Sequence, residues 1–190
     1  MAGRSIRLGR RGGRAVVVLA TTAYVVGIMI TGAPPGNTFG GSCNGRLSSV
    51  GLDASHEKGP VIIMGGDATD DVIIGSRGDD TIDGRGGNDT ICAGAGADDV
   101  RGGGDDDAVF GERGDDTLRG DEGNDLVAGG HGNDSLTGND GEDQLFGGDG
   151  HDILSGVEDP DPAEPDKLDG GDGRNLCFVD ALDEPEDCRF

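Results

Sequence analysis

The sequence predicts an all-β solenoid of short stacked coils, and three observations carry that reading. A nine-residue period runs from Gly66 to Ser155 through ten units with no insertion or deletion. Glycine accounts for 40 of 190 residues while aromatics make up 3% and tryptophan is absent, so a conventional layered core is out of reach. One fixed position of every unit is aliphatic, which gives a stack of units a continuous interior.

The units are GDATDDVII, GSRGDDTID, GRGGNDTIC, AGAGADDVR, GGGDDDAVF, GERGDDTLR, GDEGNDLVA, GGHGNDSLT, GNDGEDQLF and GGDGHDILS. Position 1 is glycine except at Ala93, and position 4 is glycine except at Thr69 and Asp105. Position 8 is Ile, Val or Leu throughout. A disordered low-complexity chain has no reason to keep this register over ninety residues, and glycine without a Gly-X-Y period excludes collagen.

Local geometry follows from residue type. Glycines at positions 1 and 4 are expected to let the backbone take positive φ and turn tightly. Positions 7 to 9 are expected to form a three-residue extended piece with the aliphatic facing inward. Two units make one coil of eighteen residues, so the ten units predict five coils. At about 4.8 Å per stacked strand, that array is only about 24 Å long.

The turns carry the chemistry. Position 6 is aspartate in every unit: Asp71, Asp80, Asp89, Asp98, Asp107, Asp116, Asp125, Asp134, Asp143 and Asp152. Carboxylates and turn carbonyls are hard oxygen ligands, the set that suits Ca²⁺, which accepts six to eight of them. Mg²⁺ demands a stricter octahedron, and transition metals favour the His and Cys that these turns mostly lack. His131 and His151 stand at positions 3 and 5 as solvated turn residues. With five turns on each side and one ion per gap, up to about eight Ca²⁺ are expected. Residues 66–155 carry 24 acidic and 5 basic side chains, a net −19, which eight divalent ions would nearly cancel. Folding is therefore expected to depend on the metal, with an affinity in the weak extracellular range of roughly 10⁻⁴–10⁻³ M.

These units resemble the nonapeptide repeats of the hemolysin-type (RTX) calcium-binding family, whose pattern is G-G-x-G-x-D-x-U-x. GGHGNDSLT and GGDGHDILS match it closely. The resemblance implies a parallel β-roll, a right-handed β-solenoid in which position-6 aspartates and turn carbonyls of stacked repeats share Ca²⁺, and calcium-driven folding after export. Thr69, Asp105 and Ala93 depart from the pattern and are expected to weaken their turns.

The flanks suggest an exported protein. Residues 1–14 hold five arginines and no acid, and an apolar run, AVVVLATTAYVVGIMI, follows from Ala15 to Ile30. Residues 1–40 read as a secretory signal peptide, with Thr38 and Gly40 permitting a cut before Gly41, or as an uncleaved N-terminal anchor. The paired Arg10-Arg11 fits twin-arginine export poorly. Residues 41–65, with the strand-like PVIIM, read as an N-terminal cap, and 156–190 as an acidic Pro-rich loop and C-terminal cap. Within the latter, LDGGDGRNLCFV resembles one more unit, with Asn175 at the aspartate position and Cys177 at the aliphatic one. The four cysteines lie beyond residue 40, which favours two disulfides over a zinc site of unfamiliar spacing. Cys177 with Cys188 is the local pairing and leaves Cys43 with Cys92, among three possible connectivities. Cys92, Phe110 and Phe146 stand at position 9, where packing under a flank competes with an exposed partner surface.

Composition narrows the function classes. The formal charge of −23 makes nucleic acid a poor partner. The flanks leave no room for a catalytic domain, and there is no HExxH, no GxSxG, no dinucleotide-binding fingerprint and no EF-hand loop, so an enzyme is not expected. The expected function is an exported, extracellular calcium-binding protein. A cell-surface structural or adhesive module using Ca²⁺ only as a folding cofactor is the competing reading. Membrane contact is expected only from an uncleaved anchor, and any protein or glycan partner is unidentified by the sequence.

Overall fold

The computed structural model describes residues 14–21, 24–31, 52–53, 62–65, 68, 70–157 and 165–189. The described residues form strands and turns, with no helix. Strands β1 (Arg14–Thr21) and β2 (Tyr24–Thr31) make an antiparallel hairpin from the apolar run near the N-terminus. Short strands β3 (Leu52–Asp53) and β4 (Ile62–Met64) follow, and β2 pairs in parallel with β4. The repeats then give one strand per unit: β5 (Val72–Ile74), β6 (Thr81–Gly86), β7 (Thr90–Ala95), β8 (Asp99–Gly104) and β9 (Ala108–Arg113). The series continues through β10 (Thr117–Glu122), β11 (Leu126–His131), β12 (Ser135–Asp140), β13 (Gln144–Gly150) and β14 (Ile153–Ser155). Beyond the array come β15 (Lys167–Asp169), β16 (Asp172–Gly173), β17 (Asn175–Phe178), β18 (Glu184–Glu186) and β19 (Cys188–Arg189).

Each roll strand pairs in parallel with the next but one, so that Leu118 lies beside Leu136 and Val109 beside Val127, eighteen residues on. Even-numbered strands build one sheet and odd-numbered strands the other across the repeats, giving a parallel β-roll of about six turns. Two units per coil is the predicted geometry.

The strands are longer than expected. In β6 to β12 they run six residues, taking in positions 7 to 9 and positions 1 to 3 of the following unit. Left-handed backbone occurs at positions 2 and 4, not at position 1. Arg85 and Glu112 at position 2 have φ of 80° and 72°, while Gly96 and Gly114 at position 4 have 131° and 124°. The chain thus bends at positions 4 to 6, and position-1 glycine serves another purpose, described below. Ala93 at position 1 is fully buried in the core and is not left-handed, so the positive φ expected at position 1 is corrected. Asp105 does hold a position-4 left-handed conformation, with φ of 71°.

The position-8 aliphatics form the predicted inner column. Ile82 is 1% exposed and Ile73, Ile91, Val100, Leu118, Leu136 and Leu154 are 0%. Each contributes about 1.5–3 kcal/mol of apolar burial, and the column joins what single units cannot hold together.

The stack continues past both ends of the regular array. Ile63 pairs with Ile82 nineteen residues on, one more than the repeat spacing. Gly65, not Gly66, takes the position-1 place of the first unit: its N–H donates to the Asp83 carbonyl at 2.7 Å, as Gly75 N–H does to Cys92. At the far end Leu145 pairs with Leu168, twenty-three residues on, so the acidic loop is a five-residue insertion inside an eleventh unit. Cys177 occupies the position-8 place of the next unit beside Leu154 and is disulfide-bonded to Cys188, the expected local pairing. Cys92 is also in a disulfide, and the expected partner Cys43 lies outside the described residues.

Candidate metal centre

The position-6 aspartates are placed by two constraints. The carbonyl of each accepts from the position-7 N–H of the next coil, as when Thr117 donates to Asp98 at 2.8 Å. The side chain reaches back to the coil before. On one side of the roll Asp71 N–H donates to Asp89 Oδ1, Asp89 to Asp107 and Asp107 to Asp125, each at 2.7 Å. On the other side Asp80 donates to Asp98 at 2.7 Å, then Asp98 to Asp116, Asp116 to Asp134 and Asp134 to Asp152 at 2.9 Å. Asp143, on the first side, receives from Asp125 at 2.8 Å. All ten predicted aspartates therefore stand on two ladders.

Burial of these carboxylates is nearly complete, from 1% exposure at Asp134 to 9% at Asp71. One oxygen takes the backbone N–H. The other, Oδ2, is buried without a hydrogen-bond partner at Asp89, Asp98, Asp107, Asp116, Asp125, Asp134 and Asp152. This oxygen explains the position-1 glycine. A Cβ on Gly102 would lie 2.5 Å from Asp107 Oδ2, and one on Gly84 or Gly147 would come equally close to the aspartate of its own unit. Glycine leaves room for a carboxylate.

Burial without a second donor makes the negative charge unfavourable. Loss of solvation pushes Asp89 and Asp107 up to about 8, Asp98 and Asp134 to about 7, and Asp116 and Asp125 to about 6. The N–H from the neighbouring coil opposes this in part, and repulsion from adjacent aspartates adds to it, as Asp107 and Asp71 do at Asp89. A proton or a cation must neutralise such a group. The ligand set fits a hard cation, because a cation can take the place of the hydrogen-bond donor that each Oδ2 lacks. Among the described residues no three His, Cys, Asp or Glu side chains converge, so further ligands would have to be turn carbonyls and water. Ca²⁺ tolerates that mixed, oxygen-only coordination best.

Two features escaped the sequence reading. Asp166, in the interrupted eleventh unit, extends the first ladder: it is 1% exposed and its Oδ1 accepts Asp143 N–H at 2.8 Å. The signal was present as D-x-L-x-G over residues 166–170, hidden by the insertion. The second is a ladder at position 5 with opposite polarity. Asp70, Asp79, Asp106 and Asp115 accept from the position-5 N–H of the following coil at 2.8–3.0 Å. Position 5 is Asp, Asn, Glu or His in every unit but the fourth, a pattern that could have revealed it.

Asn175 shows what a neutral residue does at position 6. Its Oδ1 accepts Asp152 N–H at 3.0 Å while Nδ2 donates to the Gly171 carbonyl at 3.1 Å, so neither polar end is left over. The histidines stay on the exposed turns. His131 Nδ1 lies 2.7 Å from Asp149 Oδ2, and His151 Nδ1 accepts Arg174 N–H at 3.0 Å.

The comparisons agree with this geometry. Residues 65–100, 101–136 and 119–154 match the family model of the RTX calcium-binding nonapeptide repeat in four copies. No curated protein and no solved structure matches the chain. The array from 65 to 154, which the two aspartate ladders run through, belongs to the RTX calcium-binding nonapeptide-repeat family.

Proposed function

We propose that the chain is an exported calcium-binding protein whose repeat domain folds as Ca²⁺ neutralises the aspartate ladders. The observation that carries this is the buried Oδ2 without a donor on seven position-6 aspartates. Stacked one strand spacing apart, these groups repel one another and leave the metal-free fold burdened with unsolvated charge. A cation reverses both terms, so its binding free energy becomes folding free energy. The residues that would hold it are the position-6 aspartates together with backbone carbonyls of the glycine turns. One ion per gap gives up to about eight over the ten regular units, and Asp166 adds a further gap. The basic and then apolar N-terminus supports export to a compartment where calcium is abundant, in which weak sites suffice. No catalytic role is part of this reading. The alternative, a surface structural or adhesive module, rests on the position-9 aromatics and on retention of the N-terminal segment.

Far-UV circular dichroism of the chain during calcium titration, with magnesium as control, tests the proposal. A coil-to-β transition in millimolar Ca²⁺ that Mg²⁺ does not produce is the expected result. A spectrum indifferent to calcium would overturn it.

A further inference from the structure

On the ladder that begins at Asp80, the buried Oδ2 atoms without a donor belong to Asp98, Asp116, Asp134 and Asp152. Asp80 itself is as buried as its successors, at 2% exposure, yet both of its oxygens are taken. Ser76 N–H donates to Oδ2 at 2.6 Å, and Ser76 Oγ donates to Oδ1 at 2.9 Å. The turn that makes these bonds is built differently from the rest. From the second unit to the tenth, every position-2 residue except Ser76 is left-handed, such as Arg85 at 80° and Gly148 at 104°. At position 4, Gly87 is left-handed at 99° while Gly78 is not. Ser76 Oγ organises this turn instead, accepting Gly78 N–H at 3.1 Å, a local bond to the backbone that serine favours.

Ser76 is 3% exposed, so hydroxyl, amide and carboxylate meet away from water, where charge-assisted hydrogen bonds are strong. A calcium ion at its usual distance of about 2.3–2.6 Å from these oxygens would be set against the positive ends of an N–H and an O–H. The Asp80 turn therefore does not fit the cation that the interior turns lack. The far ends of both ladders are closed by similar means. Asn175 carries Nδ2 where an aspartate has its second oxygen, and this nitrogen donates to the Gly171 carbonyl at 3.1 Å. The other ladder ends at Asp183, which precedes Glu184 as Asp166 precedes Lys167, and these two followers are register partners. Asp183 Oδ1 accepts Asp166 N–H at 3.3 Å and Oδ2 accepts Asp180 N–H at 2.7 Å.

We propose that the Asp80, Asn175 and Asp183 turns hold no calcium, because protein donors stand there in place of the cation, and that Ser76 is the residue that closes the Asp80 turn. The ladder from Asp80 to Asn175 is then a column whose calcium lies at Asp98, Asp116, Asp134 and Asp152, sealed at both ends. This inference deepens the calcium-folding reading and rests on it. It also divides the roll by its need for metal. Without calcium the interior turns bury unsatisfied charge, whereas these terminal turns keep their hydrogen bonds.

Crystals of the full chain grown in calcium, with anomalous diffraction recorded at long wavelength, locate the ions. Peaks are expected beside Asp98, Asp116, Asp134 and Asp152, and none beside Asp80, Asn175 or Asp183. Calcium bound by any of these last three overturns the proposal. Calorimetric titration of variants supplies a gain-of-site test. Ser76→Gly removes the hydroxyl and admits a left-handed position 2, so it should bind one more calcium ion per chain than the parent. Asn175→Asp restores an oxygen without a donor and should likewise gain one. An unchanged count in both folded variants overturns the assignment, and where a variant does not fold the ion positions in the parent decide. A parent chain with no calcium at any aspartate is a distinct result: it overturns the calcium reading and this one with it.

Discussion

Lowering the pH of calcium-free protein from about 8 to about 4 should drive it from coil toward the β-roll, with protons taking the place of the metal. Six position-6 aspartates have folded values of about 6 to 8 against 3.8 in the unfolded chain, with burial the first cause in each. A carboxyl whose folded value is raised holds its proton more tightly when folded. Its contribution is therefore intact below 3.8 and is lost as the pH rises through the folded value. At about 1.4 kcal/mol per unit, one such group weighs against the metal-free fold at pH 8 by a few kcal/mol. The six repel one another and do not simply add, but several together reach on the order of 10 kcal/mol, most of it relieved by pH 4. A domain is typically stable by about 5–15 kcal/mol, so even half of that term decides between folded and unfolded. Far-UV circular dichroism with a chelator present follows the transition. Calcium titrations at falling pH supply the counterpart, because each ion must displace protons and the midpoint should move to higher calcium. Metal-free protein that is already a β-roll at pH 8, or that remains coil throughout, would refute the reasoning.

Other perturbations separate the parts of a unit. Asp107→Asn should mimic Asn175, favouring the metal-free fold at neutral pH while removing ligand charge; calorimetry should count fewer ions, and unchanged stoichiometry would remove Asp107 from the site. The two left-handed positions of a unit, 2 and 4, should respond with opposite sign. Gly114→Ala forces a side chain into φ of 124° against the Gly96 carbonyl and should cost at least about 2 kcal/mol, whereas Glu112→Gly relieves a left-handed residue at φ of 72° and should gain up to about 1 kcal/mol. Both are read as shifts in the urea midpoint at saturating calcium. Leu118→Ala empties a fully buried place in the inner column and should cost about 2–5 kcal/mol in the same assay, with the calcium stoichiometry of the folded protein unchanged.

The sequence exposed the fold because a solenoid has almost no long-range information to hide. Once Ile82, Val100 and Leu118 fall in one register, coil size, strand partners and the inner column are determined together. What it concealed was the reason for each glycine. Position 1 and position 4 carry the same letter for different causes: Gly114 is left-handed at 124°, while Gly102 lies in a strand and keeps space for the Asp107 carboxylate. Composition cannot separate a glycine needed for its φ from one needed for its missing Cβ. Ala93 answers only half of the question: it shows that position 1 is not left-handed, while its Cβ takes up space that glycine leaves beside the aspartate in other units. The ladder's continuation to Asp166 was hidden differently, since five inserted residues in a turn displace the register without disturbing the stack. Turns absorb insertions at little cost because nothing inside the coil depends on their length. The regular span from Gly66 to Ser155 therefore understates the roll, and interrupted units are where further carboxylates of this kind should be sought.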